Sequence, residues 1–223
     1  SNLLEWLNSY TYIEEQKFKS YDHGSRIAKF FFDELINHGT TTAATFCSVH
    51  VESAEAFFTE SKKRNMLMIG GKVMMDRNAP IGLLDTPQTS YDDTKKLIKK
   101  WHGINRQYYA ISPRFAITST PEQLEMVQAL GNEHPDCHIQ THISENKDEI
   151  ALTSKLYPNF KDYMAIYEKY NLLGSKTLLG HCIHLSEREY IKMGESKSVA
   201  VFCPTSNLFL GSGLFNNNRY KNT

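Results

Sequence analysis

Six short apolar runs recur along the chain, at residues 40–47, 66–74, 108–115, 137–143, 176–183 and 198–204, and a helical pattern separates each run from the next. Strands joined through helices run parallel, because a tight turn can only return a strand antiparallel. The alternation therefore calls for an α/β fold: a parallel sheet covered by helical crossovers, either open or closed into a barrel.

The helical segments carry their own start and stop signals. Residues 25–38 show an apolar stripe of Ile27, Phe30, Phe31 and Leu35, with Gly39 as the stop. Residues 52–63 turn Ala54, Phe57 and Phe58 inward. Ser90 and Asp93 suggest the start of a helix through residue 102, and Thr120 precedes Pro121 and Gln123 in a cap for a helix ending near residue 134. Ser186 and Glu189 form a capping box for residues 187–195. Shorter helices are expected at 3–9, 145–156 and 161–170. Between strand and helix, residues 74–90 form a Pro-containing loop longer than a connector needs, and residues 207–223 are rich in Gly and Asn with no periodic face, as in a rim loop or frayed terminus.

Length and charge narrow the function classes. With 223 residues the chain can bury one sizeable core, so residues 1–223 are expected to form a single domain. The 25 basic and 25 acidic residues cancel, which gives no electrostatic reason to bind nucleic acid or an anionic membrane. No apolar run approaches a membrane span, and the opening residues do not resemble a signal peptide, so a cytoplasmic location is expected. Cys47, Cys137, Cys182 and Cys203 are widely spaced, each within an expected strand, and read as reduced core thiols rather than a zinc knot.

The informative polar residues gather where strands end. His50 follows the first run, Arg114 and Phe115 the third, His142 and Glu145 the fourth, His181 and His184 the fifth, and Thr205 to Asn207 the sixth. In a parallel barrel all of these look onto one rim. Along 137–143, alternation places Ile139, Thr141 and Ile143 on one face and His138, Gln140 and His142 on the other.

Each candidate has a chemical and a structural meaning. His142 can bind a divalent metal through one imidazole nitrogen, or can be a core histidine bonded to a backbone carbonyl. Glu145 in a partly desolvated pocket can move protons, or can be a solvated acid at a helix start. His181 can hydrogen-bond an attacking hydroxide or simply fill the core. The Arg114 fork matches adjacent acceptors such as the O6 and N7 edge of guanine, or pairs with a surface acid; Phe115 packs on a flat ring or on the core.

Five blocks, GKVMMDRNAP (71–80), SPRFAITSTPEQL (112–124), QTHISENKDEI (140–150), GHCIHLSE (180–187) and FCPTSNLFLGSGLF (202–215), closely resemble the guanine deaminases of the amidohydrolase superfamily. The resemblance spans nearly the whole chain. It implies a metal-dependent (β/α)8 barrel that hydrolyses guanine to xanthine and ammonia, with His142 as a zinc ligand, Glu145 as proton shuttle, and His181 orienting the hydroxide. Arg114 and Phe115 would contact the purine alongside His142 and Glu145. The HxE and PCxxC signature of the small zinc deaminases is absent.

The family pattern also includes an HxH pair on the first barrel strand and an Asp on the last, and this sequence contains neither. The expectation is an incomplete barrel, about strands two to seven of eight, from a longer protein. Catalytic zinc needs about three protein ligands and one is in view, so metal binding should be weak and turnover negligible in this chain alone. The open seam would expose two strand edges, to which a second copy could add as a homodimer. Two alternatives remain: a related amidohydrolase acting on another amino-heterocycle or a chlorinated triazine, and a noncatalytic barrel module.

Overall fold

The computed structural model describes residues 3–220. Its sheet holds β1 (Thr42–Phe46), β2 (Leu67–Gly71), β3 (Val73–Met74), β4 (Gln107–Pro113), β5 (His138–Ile143), β6 (Thr177–His181) and β7 (Val199–Val201). The order is β1-β2-β4-β5-β6-β7, with β3 also against β4, and all pairings are parallel. Parallel neighbours joined through helices, with only β2 and β3 following directly on one another, give the parallel sheet that the alternation called for and the incomplete barrel that the resemblance implied. The run at 66–74 divides because the Lys72 amide donates to the Tyr109 hydroxyl at 3.1 Å instead of joining the ladder.

The sheet is curled. Gln140 on β5 donates from Nε2 to the Thr45 carbonyl on β1 at 3.0 Å and to Ser112 Oγ on β4 at 2.9 Å. Two strands lie between β5 and β1 in the sheet's order, so a side chain spans them only across a concave interior. The opposite face of β5 sends Ile139 and Ile143 into the main core, among Phe58, Tyr109, Leu124 and Tyr167.

That core is covered by α3 (Tyr21–Asn37), α4 (Val51–Lys63), α5 (Pro87–Trp101), α6 (Pro121–Glu133), α7 (Lys147–Leu156), α8 (Tyr163–Lys169) and α9 (Glu187–Ser196). The capping signals at Thr120 and Ser186 form as expected, with Thr120 accepting from Gln123 N and Ser186 and Glu189 bonding reciprocally. The start of α5 differs. Thr86 and Thr89 make the reciprocal box, with Pro87 in the first turn, while Ser90 is buried and donates to Asp85. The buried face of α3 also differs: Gly24, Ala28 and Phe32 point inward and Phe30 is 65% exposed. A Cβ at Gly24 would lie 3.3 Å from Ala56 Cβ on α4. Packing the small residues against α4 brings the helices close and turns Ile27 and Phe30 outward.

Residues 3–19 are helical for longer than the expected 3–9, passing through α1 (Leu3–Trp6), a π turn, α2 (Tyr12–Glu15) and a 3-10 turn. Leu3, Leu7 and Tyr12 bury against Val49, Val73, Phe115 and Ile117 in a second core at the strands' carboxyl ends. The stretch expected as rim loop contains α10 (Pro204–Phe209) and α11 (Asn217–Tyr220). The four cysteines flank the strands rather than lying within them, and all are free thiols. No helix among the described residues is long and apolar enough to cross a membrane.

Candidate active site

His142 lies one residue before the end of β5, on the concave side, with its ring stacked at 4.4 Å on Phe46 and at 5.5 Å from His181. Gly180, its partner in β6, makes the room: a Cβ there would come within 3.2 Å of the imidazole. His142 Nδ1 is 2.7 Å from the Arg114 carbonyl. A carbonyl only accepts, so Nδ1 carries the proton and the Nε2 lone pair is free. Burial, followed by the neighbouring His181, pushes the ring's pKa down to about 3, which keeps it neutral. Tyr167 holds the backbone from outside, donating to His142 O at 2.8 Å and accepting from Ala116 N at 3.1 Å.

The chain turns at Ser144, whose φ of 51° is left-handed, and α7 starts at Lys147, two residues later than the sequence suggested. Glu149, fully buried, explains the delay. Its Oε2 accepts from the amides of Glu145 and Asn146 at 2.8 and 3.0 Å, the carboxylate half of a capping box with Asn146. Glu145 thus precedes the helix and buries its side chain instead of lying on a solvated first turn. Its Oε1 accepts from Ser212 Oγ at 3.3 Å and its Oε2 is 3.2 Å from His181 Nε2. Burial pushes the Glu145 carboxyl up to about 7.

His181 closes β6 with φ 71°, a left-handed turn that Cys182 continues at 50°. Asn207 Oδ1, from α10, lies 2.8 Å from His181 Nδ1. The amide oxygen accepts, so Nδ1 is the protonated nitrogen and Nε2 presents a lone pair to Glu145. The hydrogen in that contact then comes from the Glu145 carboxyl. Burial raises the acid and lowers the imidazole, and both shifts favour one proton on Glu145 near neutral pH.

Arg114 follows β4 and places Nη1 2.7 Å from both carboxylate oxygens of Glu15, with its guanidinium carbon 5.4 Å from the Tyr12 ring centre. Phe115 is buried against the N-terminal helices. A cavity of about 230 Å³ is lined by Trp6, Arg114, Phe115, His142, Glu145 and His181 among others, so all five residues singled out from the sequence share it. His50 and His184 do not line it; His184 bonds the Ser212 carbonyl at 2.7 Å, in the loop that brings Ser212 to Glu145.

Trp6, Tyr12, Glu15 and Ser212 were missed, while Asn207 was placed on the rim without its contact to His181. The i, i+4 pair Leu3 and Leu7 signalled an arm with a buried face, but nothing local ties Glu15 to an arginine 99 residues away.

The free Nε2 of His142, with Nδ1–H held by a carbonyl, is the form in which histidine binds metal. Among the described residues the one grouping of three ligand types within 4.8 Å is His102, Asp136 and Cys137, at the opposite end of β4 and β5. There His102 Nδ1 accepts from Tyr109 N at 3.0 Å, so its Nε2 is protonated and faces Asp136 at 3.1 Å. That is the tautomer of a hydrogen-bonded pair and not of a metal ligand.

Residues 3–222 match the amidohydrolase family. The guanine deaminase of Escherichia coli K12 is 50% identical over 96% of this chain and 49% of its own length. A crystal structure of a guanine deaminase from C. acetobutylicum with bound guanine superposes with a TM-score of 0.96 at 35% identity, over 100% of this chain and 53% of that one. A structure of E. coli guanine deaminase gives 0.97 at 48% identity, over 98% of this chain and 51% of that one. The chain spans about half the length of the relatives it matches.

Proposed function

The chain belongs to the amidohydrolase family, and from that premise we propose that it carries the central part of a zinc-dependent guanine deaminase active site, converting guanine and water to xanthine and ammonia in purine catabolism. One observation carries the reading: Arg114, Phe115, His142, Glu145 and His181, at the ends of three successive strands, line a single cavity in a chain half identical to a guanine deaminase. Residues 1–223 are then one catalytic barrel domain that supplies part of the full metal set.

His142 would hold zinc through Nε2, as one of about three protein ligands, and zinc in such a site lowers the pKa of a bound water. A carboxyl with a pKa of about 7 is divided between acid and base near neutrality, which suits Glu145 to take a proton from the attacking water and pass it to the exocyclic amine, which leaves as ammonia when its bond to ring C2 breaks and the water oxygen is bonded there. His181, its Nδ1–H anchored by Asn207, presents Nε2 to the attacking oxygen. Arg114 offers paired donors to the O6 and N7 acceptors of guanine, and Phe115 packs against the ring.

The free thiols fit a reducing cytoplasm.

The test is guanine consumption and xanthine formation in the longest soluble form that contains these residues. Arg114→Ala should raise KM for guanine at least about tenfold, the loss of a paired charged contact. Glu145→Gln should reduce kcat by about 10² or more. Undiminished turnover in Glu145→Gln, or preference for another amino-heterocycle, would refute the assignment.

A further inference from the structure

Arg114 is the cation facing the cavity, yet its charge is already answered. Both Glu15 oxygens lie 2.7 Å from Nη1, the Tyr12 ring covers the guanidinium, and the pair is largely buried, at 13% exposure for Arg114 and 20% for Glu15. The Nε–H and Nη2–H edge has no hydrogen-bond partner among the described residues. Glu15 is itself tied down, since its carbonyl accepts from Ser48 Oγ at 3.2 Å, and Arg114 and Glu15 both line a neighbouring cavity of about 210 Å³ with His142.

An unpaired, half-desolvated arginine is an anion site, because carboxylates and phosphates match its fork with full charge. A carboxylate already bound at Nη1 changes that. The remaining edge still donates two hydrogen bonds, but an incoming anion meets the Glu15 charge at close range in a poorly screened place. A neutral ring with two adjacent acceptors meets no such repulsion.

We propose that Glu15 is a specificity-determining residue: it neutralises Arg114 so that the site takes neutral heterocycles through the Nε/Nη2 edge and rejects planar anions. This deepens the proposed function, on which it rests only for the identity of the neutral ring. Glu15 acts through Arg114 and is therefore a positioning residue rather than a catalytic one.

Orotate and uracil are suitable probes, since they share a planar ring and differ in a carboxylate. By titration calorimetry, wild type should bind orotate no better than uracil. Glu15→Gln, which keeps the shape and removes the charge, should bind orotate at least about tenfold tighter than wild type does, the worth of one charge-assisted contact. Glu15→Ala should show the same gain, and Glu15→Gln with Arg114→Met should lose it. No gain in either single variant overturns the proposal, as does a gain that survives loss of Arg114. Should neither variant fold, a clear preference for orotate over uracil in wild type overturns it too. Guanine turnover is a separate readout: an orotate gain in a protein inert to guanine removes the substrate assignment and leaves the role of Glu15 standing.

Discussion

Replacing Glu145 by Gln should make this chain more stable, and mainly at high pH. The Glu145 carboxyl is 4% exposed and titrates at about 7, against 4.5 for a free one. Burial, the largest cause, disfavours the charged form, so the folded chain holds its proton more tightly than the unfolded chain. Stability from this group is fully present below the unfolded value and is lost as pH rises through the folded one. At 1.36 kcal/mol per pH unit the gap sets a ceiling of about 3 kcal/mol above pH 7, and relaxation around the site reduces it to about 1–3 kcal/mol. Gln is isosteric, can accept from Ser212 and donate to His181 Nε2, and never ionises. Urea unfolding at pH 5 and pH 8.5 measures the effect. The variant should exceed wild type by about 1–3 kcal/mol at pH 8.5 and by only about a quarter of that at pH 5, where Glu145 is protonated in the folded chain and the unfolded carboxyl has only begun to ionise. Equal gains at both pH values, or a less stable variant at pH 8.5, would show that the carboxyl is not strained by burial. The same substitution is expected to lower kcat by about 10² or more, so the carboxyl would be kept for chemistry at a cost in stability.

Asn207→Ala removes the acceptor that holds the proton on His181 Nδ1, so imidazole nitrogen shifts in NMR spectra should move from one tautomer toward a mixture; unchanged shifts would mean that Asn207 does not set the tautomer. Gly71→Ala would bring a Cβ within 1.9 Å of the Ala110 carbonyl oxygen on the adjacent strand, and separating two core strands should cost more than about 3 kcal/mol. A soluble variant with a thermal midpoint within a few degrees of wild type would contradict that packing.

The regular parts were legible because they follow from local rules. Helix and strand periodicity, Thr120 before Pro121, and the Ser186–Glu189 box each involve residues within a few positions of one another. The parallel order followed from helices between strands, and parallel order puts all strand ends on one rim; this is why Arg114, Phe115, His142, Glu145 and His181 group together in the sequence pattern itself. Where sequence rules competed, the structure chose. Ser90 has the composition of a cap, but Thr86 with Pro87 beside it offers a better one, and α3 turned its small residues inward because Gly24 and Ala28 allow a closer approach to α4 than Ile27 and Phe30.

Sequence alone settled the strands, their direction, the helices between them and that Arg114, Phe115, His142, Glu145 and His181 share a mouth, since backbone hydrogen bonding and side-chain alternation act over short distances. Charge state and donor direction inside that mouth were decided only by the tertiary structure. The proton on Glu145, the tautomers of His142 and His181, and the neutralisation of Arg114 by Glu15 all depend on burial and on partners far along the chain, brought within hydrogen-bond distance by the curl of the sheet.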